Sequence, residues 1–227
     1  MRPKGIEIDT PIHQSDPWIT NLMKKINLIP SVDDRYPPEP ACFVLENVFT
    51  PEKCMNWIEF AESVGYSPAL IDNNGTQEYA PEMRNHSRAM LDDPTLALDL
   101  FNRIRPHLPY DDEVSRRAPK KLNPRLRFLK YHPGEYFRPH MDNCYEDETD
   151  DTISVYTVQL YLNDTFTGGE TIFIEGGSIR HGHPIAYSPK QGSVLVFHQD
   201  TYYHEGAEVT SGMKRCVRTE VMYDDQS

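Results

Sequence analysis

No apolar run in this 227-residue chain approaches the roughly 20 residues that a membrane-spanning helix needs. The opening stretch MRPKGIEIDTPIHQSD has no apolar core of a secretory signal. The expectation is a chain without signal peptide or membrane partner, cytoplasmic or nuclear. Cysteine is sparse: Cys42, Cys54, Cys144 and Cys216 are scattered and form no CxxC. That spacing offers neither a thiolate metal pair nor a redox motif, and a chain of this size needs no disulfide framework. Positive charge is scarce too, 23 Lys and Arg against 35 Asp and Glu, for a net charge of -12. Such a field repels a phosphate backbone, which disfavours nucleic acid as a partner. The one basic cluster, Arg116, Arg117, Lys120, Lys121, Arg125 and Arg127, reads as a solvated loop. Glycine, at 12, is outnumbered by 19 prolines and 13 tyrosines, which suggests a loop-connected, β-rich body.

The length suits one sizeable domain with a single core. Residues 1–40 carry prolines, mixed charge and one weakly amphipathic piece, Trp18 to Ile29, and read as an arm lying on a domain of residues 41–227. Thr50-Pro51-Glu52 opens a helix with a capping hydroxyl, a proline at the first helical position and an acid in the first turn. Cys54, Ile58 and Ala61 recur at helical spacing, and Gly65 stops the run. Asp93-Pro94 opens a second helix whose stripe is Leu96, Ala97, Leu100, Phe101 and Ile104, ended by Pro106. Beyond Pro124 the runs Leu126 to Tyr131, Ile153 to Leu162, Thr171 to Ile174, Ser193 to His198 and Lys214 to Tyr223 read as strands. Helices first and strands afterwards give an α+β domain. The acidic run Glu146 to Asp151 reads as a flexible, solvated loop.

Two His-x-Asp pairs occur, His140-Met141-Asp142 and His198-Gln199-Asp200. On a strand, residues i and i+2 face the same side, so both members of such a pair can meet one ion. A third ligand must then come from a distant strand. His204 lies 62 residues past Asp142, whereas no histidine follows His204 to serve the second pair. The first pair is therefore the candidate, and His198 and Asp200 read as structural. Two imidazoles and a carboxylate on one face of an iron ion leave coordination positions open for redox chemistry. His181-Gly182-His183 sits in a Gly/Pro loop without a carboxylate and reads as exposed. In the last strand Lys214, Cys216, Arg218 and Glu220 share one face, and Val217 and Val221 the other. If the valines pack against the helices, the charged face points inward, where a cation needs an anionic partner; a solvated edge strand is the other reading.

The ordered set YHPGEYFRPHMD, YTVQLYLND, GGETIFIE, PKQGSVLVF and HEGAEVTSGMK resembles the Fe(II)/2-oxoglutarate-dependent dioxygenases, specifically the prolyl 4-hydroxylase branch. The resemblance runs from about Phe43 to Tyr223 and is most direct in the C-terminal half. It implies a double-stranded β-helix (jelly-roll) core with supporting N-terminal helices. It implies His140, Asp142 and His204 as ligands of Fe(II), with 2-oxoglutarate as cosubstrate, O2 as oxidant and ascorbate as a reductant. It further implies that a cation about ten residues past the distal histidine holds the far carboxylate of 2-oxoglutarate, with a tyrosine hydroxyl assisting. Lys214 and Tyr131 occupy those positions. Arg218 competes for the role, because an arginine fork suits a carboxylate, and would otherwise face the substrate or the inner carboxylate of the cosubstrate. Tyr136 and Arg138 lie just before His140 and either touch substrate or pack behind the ligands. Arg84 and Arg88 fall in the segment that covers the site in prolyl 4-hydroxylases, where arginine replaces the usual small polar residues.

The activity implied is hydroxylation of a C–H bond in a peptidyl substrate, prolyl among the candidates, or in a small molecule, with release of succinate and CO2. Asp142 argues against halogenation, which in related enzymes needs that ligand position vacant. The alternative is a non-catalytic metal-binding or interaction module of the same fold, against which the joint presence of the triad, Lys214 and Tyr131 weighs.

Overall fold

The computed structural model describes residues 23–29, 40–73, 76–110, 117–174 and 183–225. Most of the N-terminal arm, Arg116 and the pair His181-Gly182 lie outside the described residues. Two helices form where their capping residues place them. Helix α1 (Pro51–Val64) begins at Thr50, whose hydroxyl accepts a hydrogen bond from the Lys53 amide, and ends at Gly65 with φ 86°. Helix α2 (Pro94–Ile104) begins at Asp93, whose carboxylate accepts from the amides of Thr95 and Leu96 at 2.9 and 3.0 Å. Its expected stripe is buried throughout. Pro106 does not simply end the chain's helical course: it lies within a 3-10 turn, Arg105–His107, whose first positions need no N–H donor.

The principal strands are β1 (Lys24–Asn27), β2 (Cys42–Glu46), β3 (Ser87–Asp92), β4 (Arg125–Tyr131), β5 (Phe137–His140), β6 (Thr152–Tyr161), β7 (Thr171–Phe173), β8 (Ile185–Tyr187), β9 (Val194–His198), β10 (His204–Gly206) and β11 (Lys214–Asp224). The major sheet runs β1-β2-β9-β6-β11-β4-β3, and the minor sheet β8-β7-β10-β5; the pairings between these strands are all antiparallel. β1 shows that part of the N-terminal arm is a strand laid along the sheet edge, with Lys24 opposite Glu46.

The period of two along the strands sorts side chains into two cores. Phe43 and Leu45 of β2, Val194 and Val196 of β9, and Val217 and Val221 of β11 pack under the helices with Trp57 and Leu100. Val44, Leu195, Phe197 and Cys216 point the other way, into a second core between the sheets with Phe173 and Tyr202. The charged face of β11 does turn inward: Lys214 and Glu220 are each 1% exposed. The result is an α+β double-stranded β-helix with both helices against the outer face of the major sheet.

Two loop expectations need correction. The acidic run is no free loop: Glu146–Asp147 pairs with the start of β6, and Lys121 forms ion pairs with Asp147 and Asp150. Those charge-assisted contacts order the turn that five acids alone would have repelled open. Nor is the basic cluster a solvated loop, for Arg125 and Arg127 lie on β4 and pair with Asp92 and Glu220. All four cysteines are free, three buried and Cys144 exposed. Among the described residues no helix is long and apolar enough to cross a membrane.

Candidate metal centre and its surroundings

His140 ends β5 and His204 begins β10, and the two stand directly opposite each other in the ladder. Their rings lie 4.4 Å apart, centroid to centroid. Each ring is oriented through its inner nitrogen: His140 Nδ1 is 2.8 Å from the Arg138 carbonyl, and His204 Nδ1 is 3.0 Å from the Tyr202 carbonyl. A carbonyl only accepts, so both Nδ1 atoms carry the proton and both Nε2 lone pairs are free to ligate. Asp142 completes the set, its carboxylate oxygens 3.7 and 3.8 Å from the two Nε2 atoms. One ligand atom from each residue falls within 4.8 Å of the others, the only such group found among the described residues.

Asp142 reaches this position differently from the expectation that strand pleat aligns it with His140. β5 stops at His140, and Asp142 lies two residues past its end. The major sheet holds it instead. Thr157 of β6 donates its hydroxyl to one carboxylate oxygen at 2.6 Å, and Arg218 of β11 meets the other at 3.0 Å. Burial alone would raise the pKa of Asp142, but Arg218 and the two imidazoles outweigh it and hold the group below the usual carboxylate range. Burial, and then His204 beside it, pushes His140 down to about 3, and burial likewise lowers His204. At neutral pH the site offers two neutral imidazoles and one carboxylate, the protonation state a divalent metal needs.

Lys214 is buried opposite Tyr131 in the β11–β4 ladder. Its ammonium donates to the Gly169 carbonyl at 2.7 Å and lies 5.1 Å from the Tyr131 ring centre and 5.7 Å from that of Tyr161. No carboxylate stands within ion-pair distance of it among the described residues, and burial lowers its pKa. A buried cation faced only by a carbonyl and two rings is half of a charge pair. Arg218, the rival for the cosubstrate carboxylate, is already engaged by Asp142 and, at 3.5 Å, by Glu220. Glu220 is shared with Arg127 at 2.7 Å and Asn123 at 2.9 Å.

The remaining candidates line one side. The segment Met83–Asn85 runs beside β5 through an Arg84–Phe137 bridge and an Arg138 amide to Met83 carbonyl bond of 2.8 Å. Arg84 lies over the Phe137 ring at 4.2 Å, and Phe137 stacks on His140 at 3.5 Å and 18°. Arg138 is exposed and lies 3.8 Å above the Tyr136 ring, whose hydroxyl donates to the Pro81 carbonyl. Arg88 reaches away, to the Leu70 carbonyl and Gln77. His198 and Asp200 pair with each other at 2.6 Å, apart from the triad, as the structural reading expects.

Three contributors escape a motif-based reading: Thr157, Phe137 and Gly169. Thr157 had a signal, since alternation in YTVQLYLND puts Thr157 and Gln159 on the face opposite Val158 and Leu160. The Gly169 carbonyl left no side-chain trace.

Residues 126–222 match the family model described as the 2OG-Fe(II) oxygenase superfamily. A protein of Acanthamoeba polyphaga mimivirus, whose name places it among the prolyl 4-hydroxylases, is 25% identical over 81% of this chain and 74% of its own. Among solved structures, a Pseudomonas putida prolyl-4-hydroxylase aligns with TM-score 0.54 at 17% identity, covering 77% of this chain and 88% of that one. A Trichoplax adhaerens prolyl hydroxylase in complex with a hypoxia inducible factor peptide aligns with TM-score 0.51 at 16% identity, covering 77% and 76%.

Proposed function

The chain belongs to the 2OG-Fe(II) oxygenase superfamily, in its prolyl 4-hydroxylase-like branch, and from that premise, which makes it a 2-oxoglutarate-dependent hydroxylase, we propose a mechanism and a substrate class. His140, Asp142 and His204 would hold Fe(II), and Lys214 with the Tyr131 hydroxyl would hold the far carboxylate of 2-oxoglutarate. When bound, the metal and 2-oxoglutarate together supply, from O2, the oxidising power that hydroxylates a C–H bond, with succinate and CO2 released. The protein's part is positional. The Arg138 and Tyr202 carbonyls fix the imidazole tautomers, and Thr157 and Arg218 fix the carboxylate of Asp142. Lys214 is buried, a low-dielectric setting in which a carboxylate gains a strong, charge-assisted contact.

The substrate proposed is a peptide, with prolyl as the first candidate. The peptide-bound Trichoplax relative supports this class by likeness of fold. Tyr136, Arg138 and Arg84 lie on or beside the iron-ligand strand and would contact the peptide, whereas Arg88 is turned toward Leu70 and Gln77. The single observation that carries the reading is Lys214, buried, donating to the Gly169 carbonyl and with no carboxylate at ion-pair distance among the described residues. A non-catalytic module would have no use for that unmatched cation. The test is a melting series with Zn(II) and 2-oxoglutarate, singly and together. A ligand that binds the folded state through the metal raises Tm only in the metal's presence. Equal stabilisation by 2-oxoglutarate with and without metal would contradict the reading.

A further inference from the structure

Around the metal centre the charges do not balance once the expected ligands are counted. Two positive charges on a ferrous ion and one on Lys214 are matched by Asp142 and the two carboxylates of 2-oxoglutarate. Glu220 lies between Arg127 and Arg218 and matches one of them. The other of that pair remains, as do Arg84 and Arg138 beside the iron-ligand strand, and neither Arg84 nor Arg138 has a carboxylate at ion-pair distance among the described residues. This surplus stands out in a molecule whose net charge is -12. A protein so rich in acids had carboxylates available for these arginines.

The hydrogen bonding points the same way. Two guanidinium nitrogens, Arg84 Nε and Arg218 Nε, are buried and have no hydrogen-bond partner among the described residues. Leaving a buried, charged donor without a partner costs more than leaving a neutral one so. Both belong to side chains at the metal centre. Arg218 touches Asp142, and Arg84 lies over Phe137, the ring stacked on His140. They are also close enough to feel each other. Burial first, and then Arg88 and Arg218, lower the pKa of Arg84 to about 10, while Asp142 raises it, so Arg84 stays charged at neutral pH. The terminal nitrogens of Arg84 are fixed, one on His86 Nε2 at 2.9 Å and one near the Leu70 carbonyl. His86 is itself held by stacking on Tyr131 at 4.0 Å. The guanidinium is thus oriented with its Nε–H unused.

We propose that Arg84, together with Arg218, forms an anion subsite for a carboxylate that the substrate carries next to the carbon being hydroxylated. This inference rests on the 2-oxoglutarate oxygenase reading and narrows it, from peptides in general to those with an acidic residue beside the modified position. The same chemistry is offered by a free carboxylic acid, which the test separates.

The test uses full-length protein loaded with Zn(II) and saturated with 2-oxoglutarate, so that binding is read without turnover. Fluorescein-labelled heptapeptide pools centred on proline are compared by anisotropy, one with Asp and Glu at the flanking positions, the other with Asn and Gln. The acidic pool is expected to bind at least tenfold tighter. In Arg84→Gln the advantage falls below threefold, and Arg84→Lys restores part of it, which a loss of folding would not permit. N-acetylaspartate displacing the acidic pool where N-acetylasparagine does not also supports the subsite, and displacement at equal concentration makes a free acid the preferred source. Pools that bind alike in wild type, or both fail to bind, overturn the proposal, as does an acidic advantage that survives in Arg84→Gln. A tenfold weakening of 2-oxoglutarate itself in Arg84→Gln also overturns it, because the arginine would then serve the cosubstrate. If 2-oxoglutarate fails to bind the metal-loaded wild type, the oxygenase reading falls first and the subsite falls with it.

Discussion

At the scale of single residues, the candidate metal centre depends on atoms that orient His140, Asp142 and His204 as much as on those three residues. The hydroxyl of Thr157 donates to Asp142 at 2.6 Å in a buried setting. Thr157→Val keeps the shape and removes the donor. Partners of this kind typically contribute 10–100-fold to metal affinity, so the variant is expected to bind Zn(II) about tenfold more weakly, measured by competition with a chromophoric chelator. Gly169 tests the cosubstrate end. It has φ 69°, and a Cβ there would lie 3.2 Å from Lys214 Cδ and 3.1 Å from side-chain atoms of Phe166 and Val209. Gly169→Ala therefore strains the backbone and displaces the lysine. Weaker 2-oxoglutarate binding with unchanged metal affinity is the expected result, read by isothermal titration with each ligand. The grouping of His140, Asp142 and His204 was legible in the sequence because a distant histidine followed only one of the two His-x-Asp pairs at a suitable separation. The backbone carbonyls that fix the tautomers were not, since they depend on which strand lies beside which.

At the scale of elements, the helices were readable because their ends are chemically marked. The Asp93 carboxylate caps two amides of α2. Asp93→Ala is expected to cost about 1 kcal/mol, which in a domain of this size lowers Tm by about 2–4 °C, measured by calorimetry. α2 lies against the outer face of the major sheet, so metal affinity should stay as in wild type. The strands after Pro124 were readable from their β-branched and aromatic runs, β4 and β11 nearly to the residue. The pleat argument failed at one point. β5 ends at His140, and Asp142 is positioned by long-range contacts to β6 and β11 that no local pattern encodes. The acidic turn after it was misread for a related reason, because Lys121, the cation that orders it, lies more than twenty residues earlier.

Across the whole molecule, burial of neutral histidine makes stability depend on pH. His86 is 1% exposed, and its pKa is lowered well below the ordinary value, by burial first and then by Arg84. In the unfolded chain the same ring takes up a proton near pH 6.5. Below that pH the unfolded state binds more protons than the folded state, so stability is fully present above about 6.5 and is lost as pH falls. The loss approaches about 1.4 kcal/mol per pH unit for this one group. Metal-free protein is expected to melt progressively lower from pH 7 to pH 5, and His86→Phe, which keeps a ring on Tyr131, should show a shallower decline. Equal slopes would place the pH sensitivity elsewhere. The two-sheet architecture was legible as a class from the order of helices and strands; the way its interior gathers Lys214, Arg218 and Glu220 on one inward face followed from the alternation in β11.

The measurement that bears most directly on the central claim is an anaerobic optical titration of Fe(II)-loaded protein with 2-oxoglutarate, in wild type, His140→Ala and Lys214→Ala. A visible metal-to-ligand charge-transfer band in wild type is predicted, absent in His140→Ala and displaced to higher 2-oxoglutarate concentration in Lys214→Ala. Folded, iron-bound wild type that develops no band would contradict the assignment of this site to 2-oxoglutarate chemistry.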